Sequence, residues 1–550
     1  MNVETGKIAP GQARCPAEST QDIIARDKVA APEWVRSENY TYLGSEDVDT
    51  ARFTSAEWQD EEFKRVWTRT WQWACREEHI PEVGDYYVYE VGPYSFIITR
   101  VTPTEVRAYY NACLHRGTKL RASRSEGNAS EFKCSFHGWS WNIDGTNKEI
   151  LCPWDFPHAK PEEFSLPEAR VELLAGFVWI NMDPEAPSLE EYIGPEAMAH
   201  IRQWKLEDRY VACHVGKRIP ANWKLNAEAF MEAYHVPDTH PQVSPTNADV
   251  NSQYDTYGDH VNRFISSLGV VSPTKEGQFS EQDVLDRFTV GDSSIVTDKP
   301  VVSEGQSARQ VMADIFRAGF EKASNAKLDH VSDSEILDCF SYTIFPNCFL
   351  FPGISLPMVY RFRPSPRNHR ESLYEVLFLW PKPADGSHYE TAEIVTIAID
   401  ISGSATLGTS SRSITRHREA PIARAASTNS RWANAIALAR AIRTMLGMVS
   451  NDSANAMLRI VGSRMEASAT SRISGGTANT ALVRMLIVRS VPPRKYPATT
   501  PTIPPTTTPI TTADREITRE ARAPKSARLS MSRPAALVPS RCPASVNGAT

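Results

Sequence analysis

Short runs of β-branched and aromatic residues alternate with polar ones through GDYYVYEVG (84–92), YSFIITR (94–100) and EVRAYYNA (105–112), each bounded by Gly, Pro or Asp. Period-two patterning of this kind predicts β-strands. FKCSFHGWSWNIDG at 132–145 is a further strand-and-turn unit, so the region reads as a small all-β module. Upstream, SAEWQDEEFKRVWTRTWQWACREEH at 55–79 is dense in aromatics, with Ser55 as N-cap and acidic residues close behind; it predicts a helix. Asn222 to Tyr234, rich in Ala, Leu, Met and Glu, predicts another, and IFPNCFLFPG at 344–353 reads as strand. The pattern is that of an α+β protein.

The patterning stops near residue 400. Residues 1–400 contain 49 of the 51 aromatic side chains, and 401–550 only Trp432 and Tyr496. Charge divides at the same place: the last 150 residues carry 19 Arg and 2 Lys against 6 acids, a net +15, which leaves −21 on the first 400. A domain needs large side chains to bury, and PATTPTIPPTTTPITTADREITREARAPKSAR offers almost none. Three readings fit this low-complexity basic tail: a disordered arm, a folded basic domain, or a GC-rich gene read in the wrong frame from somewhere within 386–405. Near-absence of Lys and of stacking aromatics argues against nucleic-acid binding.

Nine cysteines in 550 residues are too few for a disulfide framework. No window reaches the roughly eighteen uncharged apolar residues of a membrane span, and the first twenty residues hold no apolar run suited to a signal peptide. A cytoplasmic protein is expected. Glycine-rich nucleotide motifs are also missing, so any nicotinamide chemistry would come from a partner.

Candidate chemistry concentrates in NACLHRGTKLRASRSEGNASEFKCSFHGWSWN (111–142), where Cys113-x-His115 and Cys134-x-x-His137 are separated by eighteen residues. Four cysteines would suit zinc or an all-thiolate cluster, and zinc fingers space Cys and His differently. Two Cys with two His suit a [2Fe–2S] cluster in which one iron takes both thiolates and the other both imidazoles. Phe132, Phe136, Trp139 and Trp141 would exclude water from the second loop. Neutral imidazole donates less charge than thiolate, so such a cluster is easily reduced and serves as an electron relay.

A relay needs an acceptor, and ANWKLNAEAFMEAYHVPDTHPQ (221–242) offers one. Glu232 and His235 are three apart and can share a helix face; His240 follows after Pro237, whose bend lets it return toward His235. Two imidazoles and a carboxylate make the facial triad of non-haem Fe(II) oxygenases, which leaves positions open for dioxygen and substrate. For Phe230 the default is core. Arg116, Lys119, Arg121 and Arg124 flank the cluster loops and could meet an acidic electron donor.

With Cys113, His115, Cys134 and His137 followed by Asn222-Trp223-Lys224, Glu232, Tyr234, His235 and His240, the chain resembles the large (alpha) subunit of Rieske non-haem iron aromatic ring-hydroxylating oxygenases over roughly residues 40–385. The resemblance implies an N-terminal arm (1–54), a Rieske domain with its leading helix (55–175) set into a helix-grip, START-like catalytic domain with an antiparallel sheet (176–400), and the tail (401–550). It implies a Rieske [2Fe–2S] cluster on Cys113, His115, Cys134 and His137, and Fe(II) on His235 and His240. Glu232 would bridge the two sites of neighbouring subunits, where aromatic-ring dioxygenases usually carry Asp and some quaternary-amine demethylating relatives carry Glu. Asn222 would orient a ligand or the pocket.

The implied partners are an NAD(P)H-dependent reductase, a ferredoxin, dioxygen, an aromatic substrate, two further copies in a homotrimer, and in some systems a small beta subunit. The implied reaction is ring dihydroxylation, with monooxygenation or demethylation as the alternative. The family's third iron ligand, an Asp on a C-terminal helix, has no match before residue 400. Asp400 precedes the expected helix and Asp452 stands in the anomalous tail. A chain lacking that ligand would be an inactive relative.

Overall fold

The computed structural model describes residue 9, residues 11–289 and residues 300–397. Asp400, Asp452 and the tail fall outside them, together with every reading made of that tail.

The alternating runs form the strands they predict. Asp85–Val91, Tyr94–Arg100 and Val106–Tyr110 lie in one seven-stranded sheet, whose full order is 72–76, 177–181, 168–174, 106–110, 94–100, 85–91 and 126–128. Phe96, Ile98, Tyr89, Ala108 and Ile180 fill one core beneath it. A small sheet of 131–133, 140–142 and 147–149 packs Phe132, Trp139 and Trp141 against Ile97 and Tyr109 of the larger one.

The aromatic stretch at 55–79 is not a single helix. Ala56–Arg65 is helical, with Ser55 Oγ accepting from the Trp58 N–H at 3.1 Å; Gln72–Arg76 is a strand and Glu77–His79 one 3₁₀ turn. Trp67, Trp71 and Trp73 are essentially completely buried, which leaves no solvent face for a continued amphipathic helix. Gln72–Arg76 instead pairs antiparallel with Phe177–Asn181, Arg76 facing Phe177. The chain thus leaves this edge at Arg76 and returns to it at Phe177.

An eight-stranded sheet follows, ordered 253–257, 261–266, 339–344, 348–350, 358–364, 372–381, 209–219 and 395–397. Its neighbours are antiparallel except that Val395–Ile397 runs parallel to Arg209–Ile219. One face carries an aromatic cluster of Phe349, Phe351, Tyr360, Phe362, Tyr374 and Phe378, against which Ala227 packs.

Buried charge joins the two sheets. Arg361 and Glu375 are cross-strand partners, and the Arg361 Nε and Nη2 donate to the two Glu375 oxygens at 2.9 and 2.8 Å. Arg361 also donates to the carbonyl of Ala74 at 2.8 Å and lies 3.9 Å over the Trp73 ring. Burial opposes ionisation of Glu375, but Arg361 and Arg363 outweigh it and hold the carboxyl well below its ordinary range.

The N-terminal arm is tied to the second sheet. Arg263, paired with Asp255 at 2.7 Å, donates to the carbonyls of Trp34 and Ser37, and the Asn39 N–H donates to Asp255 at 2.8 Å.

Candidate metal centres

Two turns of the same design present the cluster candidates. In the first, the Cys113 N–H donates to the Thr118 carbonyl and the Gly117 N–H to the Cys113 carbonyl, both at 2.8 Å. In the second, the Cys134 N–H donates to the Trp139 carbonyl at 2.8 Å and the Gly138 N–H to the Cys134 carbonyl at 3.0 Å. Each glycine lies four residues after its cysteine in the left-handed region, Gly117 at φ 76° and Gly138 at φ 75°. A Cβ on Gly138 would clash with the Leu151 side chain. These glycines are functional positions that the Cys and His spacing alone does not reveal; His115-Arg116-Gly117 and His137-Gly138 are their signal in the sequence.

Asn111 closes the first loop. Its side-chain oxygen accepts from the Leu120 and Arg121 N–H groups at 3.0 and 2.9 Å, and its Nδ2 donates to the Arg121 carbonyl at 2.9 Å.

The loops meet as two pairs. The Cys113 and Cys134 thiols lie beside one another in the interior, while the His115 and His137 rings stand 4.6 Å apart, edge to face, with His137 exposed. Burial raises the Cys113 pKa. For Cys134 burial acts the same way, but the N–H groups of Phe136 and His137 and the Cys113 thiol overcome it and lower the value. Burial, then His137 and Arg116, lowers the pKa of His115. His115 stacks on Trp139 at 5.2 Å, and its Nδ1 is buried with no hydrogen-bond partner. Phe132, Trp139 and Trp141 are buried as expected, but Phe136 is 61% exposed and only leans on the His137 ring, at 4.0 Å.

The second candidate site is less helical than expected. Helix Trp223–Glu228 ends six residues in, and a separate turn, Val236–Thr239, has Pro237 in its opening positions, where a missing N–H does no harm. The intervening turn brings the His235 and His240 rings to 5.3 Å at an interplanar angle of 78°. Glu232 Oε1 lies 2.6 Å from His235 Nδ1, and Oε2 accepts the His235 N–H at 3.1 Å. Burial and the neighbouring His235 lower the pKa of His240, whose Nδ1 is also buried without a partner.

Asn222 caps the helix, accepting from the Lys224 N–H at 3.1 Å, and donates to the His369 carbonyl at 2.8 Å. Phe230 stacks in the aromatic cluster against Tyr374 at 5.3 Å, and Tyr234 is 84% exposed.

Against known protein families, residues 70–157 match the Rieske [2Fe-2S] domain and residues 195–396 the ring hydroxylating alpha subunit catalytic domain, together just over half of the chain and in that order. This chain belongs to the Rieske ring-hydroxylating alpha subunits.

The chain is 26% identical over 331 residues to the biphenyl 2,3-dioxygenase alpha subunit of Rhodococcus jostii (strain RHA1), a match covering 56% of this chain and 64% of that one. It is 28% identical to the carnitine monooxygenase oxygenase subunit of Escherichia coli (strain K12), with 39% and 58% covered. To the large oxygenase component of the naphthalene 1,2-dioxygenase system of Pseudomonas putida it is 35% identical, with 32% and 41% covered. The chain thus spans less than two thirds of the length of these curated relatives.

Among the described residues, no three His, Cys, Asp or Glu side chains converge as they would on a single metal ion. A thiol pair beside an imidazole pair, one imidazole nitrogen being buried and unpartnered, instead fits the two separate irons of a Rieske cluster. The second site offers two imidazoles 5.3 Å apart, one of them oriented by a carboxylate. No helix among the described residues is long and apolar enough to cross a membrane.

Proposed function

We propose that the chain is the terminal oxygenase component that takes electrons onto a Rieske cluster held by Cys113, His115, Cys134 and His137 and passes them to a mononuclear Fe(II) held by His235 and His240. The reaction is incorporation of dioxygen into an aromatic ring as a dihydroxylation. One observation carries the reading: Glu232 engages His235 Nδ1 at 2.6 Å, which leaves Nε2 for a metal, in the same chain as the paired thiols and imidazoles. Fe(II), when bound, supplies the one-electron and dioxygen chemistry. The chain's own residues do the rest. Glu232 holds the His235 proton on Nδ1, Asn222 fixes the start of the helix leading to the site, and Phe230 with its aromatic neighbours excludes water beneath that helix.

The relatives that act on biphenyl, benzene and naphthalene support an aromatic substrate. Glu at 232 and the likeness to a carnitine monooxygenase favour a second reading, monooxygenation or demethylation at the same centre. Asp400 and Asp452, the positions weighed for the family's third iron ligand, lie outside the described residues, and a chain without that ligand would be an inactive relative.

The finer architecture belongs to the same proposal. Residues 1–54 form an arm, 55–175 the Rieske domain and 176–400 a helix-grip catalytic domain, a reading supported by a sheet whose strands 358–364 and 372–381 pack on helix Trp223–Glu228. The working form is a cytoplasmic homotrimer, with or without a beta subunit, served by an NAD(P)H-dependent reductase and a ferredoxin.

Iron and acid-labile sulfide per chain, read with electron paramagnetic resonance of the reduced protein, test the assignment. Three irons with two sulfides are expected, and a diol formed from naphthalene with both oxygens from labelled dioxygen would establish dihydroxylation. Two irons with two sulfides would leave a cluster protein without its oxygenating centre, and absence of sulfide would overturn the reading.

A further inference from the structure

A cleft of about 730 Å³ opens between the cluster loop and the end of the catalytic sheet. Its walls are Lys119, Ser123 and Arg124 on one side and the segment from Arg363 to Leu373 on the other. Cationic side chains outnumber carboxylates in the lining, on a chain whose first 400 residues carry a net −21.

Most of these cations are already engaged. Lys119 pairs with Glu90 at 2.6 Å and Arg218 with Glu371 at 2.5 Å. Arg363 is committed to the buried Glu375 at 2.9 Å and to the Glu90 carbonyl at 2.6 Å. Arg124 and Arg367 are different: both are exposed, and among the described residues neither is held by a hydrogen bond or an ion pair. One stands on the loop that follows Cys113 and His115, the other on the loop joining strands Met358–Pro364 and Ser372–Pro381.

An open cleft lined by charge does not resemble the enclosed, mostly apolar pocket that takes a small aromatic molecule. It is suited to a surface that brings carboxylates. We propose that this cleft receives the acidic face of the protein that reduces the cluster, with Arg124 and Arg367 meeting its carboxylates. The proposal rests on the functional reading above, since it requires a cluster to be reduced. Its location supports it: a partner seated there touches the loop that carries two of the four cluster ligands, and complementary charge raises the rate of encounter. Of the four cations flanking the cluster motifs, Arg121 is removed from this role, because it donates to the Glu131 carbonyl at 2.7 Å and stacks on Phe132 and Tyr86.

The test is the second-order rate of cluster reduction in the full chain, with reduced plant-type [2Fe–2S] ferredoxin as the acidic protein donor and photoreduced deazaflavin as a neutral small reductant. Arg124→Glu combined with Arg367→Glu should lower the ferredoxin rate about tenfold at low salt and flatten its salt dependence, with the deazaflavin rate unchanged. Lys322→Glu with Lys327→Glu makes the same charge change away from the cleft and should stay within twofold of the parent. A double arginine variant that reduces at the parent rate, a control pair that falls equally, or a parent rate insensitive to salt would overturn the proposal while the cluster assignment stands. A variant that changes the oligomeric state would assign the cleft to a second copy and also overturn it. Absence of any cluster signal in the parent would instead sink the functional reading itself.

Discussion

Glu232→Gln tests whether the carboxylate beside His235 serves a metal. The substitution keeps the shape and an acceptor for the Nδ1 proton but removes the negative charge that makes the 2.6 Å contact a charge-assisted one. Charge-assisted bonds are worth roughly 1.5–3 kcal/mol and neutral ones about 1, so the loss is at most about 2 kcal/mol. The Glu232 side chain is 40% exposed and that of His235 32%, and solvent screening brings the figure to about 1 kcal/mol. At about 1.4 kcal/mol per tenfold, Fe(II) should bind some fivefold more weakly. Glu232→Ala, which also removes the acceptor, should weaken it by about 10–100-fold, as loss of a carboxylate behind a ligating histidine does elsewhere. The assay is Fe(II) binding by competition with a chelator, with acid-labile sulfide as an internal measure of an intact cluster. Equal Fe(II) affinity in all three proteins would refute the reasoning. A parallel loss of sulfide would refute it differently, by showing that the carboxylate supports the fold.

Three further outcomes are expected. Glu375→Gln leaves Arg361 and Arg363 buried without their counter-charge and should destabilise the protein by about 3–5 kcal/mol, read by thermal or denaturant unfolding. Because the folded-state pKa of Glu375 is depressed, its contribution is present above the unfolded carboxyl value of about 4.3 and fades as pH falls toward the folded one; the parent should lose this increment on acidification, and the variant should not. Gly138→Ala forces a Cβ into the left-handed region and against Leu151, at a backbone cost of about 1–2 kcal/mol; sulfide content should fall, and adding Leu151→Ala should restore it only in part. Asp255→Asn loosens the hold on Trp34, Ser37 and Asn39, so limited proteolysis should cut the arm near residues 40–50 faster than in the parent.

The Rieske domain was legible because cysteine and histidine at that spacing have few other uses, and the strands beside them because their alternation matches a half-buried sheet. The helices were harder. Aromatic residues continue without a break from Trp58 to Trp73, and nothing local records that Trp67, Trp71 and Trp73 would be buried on every side; only the tertiary packing converts that run into a strand. The helix from Trp223 was overextended because Ala, Glu and Met propensities persist to residue 233, whereas the hydrogen bonds of Glu232 to His235 and of the Ala233 N–H to the Tyr254 hydroxyl hold a turn there. The Arg361–Glu375 pair was invisible for a related reason: it takes a cross-strand register to bring them together, and the register depends on the whole sheet.

Arg76 and Phe177 face each other across one strand pair, so the roughly one hundred residues between them depart and return through a single doorway. Segments whose ends lie side by side are the ones that proteins exchange most readily. On the proposed function this electron-carrying part is therefore a cassette: a cluster of different potential could be installed by joining two adjacent peptide ends, with the turn that holds His235 and His240 left in place. Such a swap would tune how easily the protein accepts an electron independently of what it does with it.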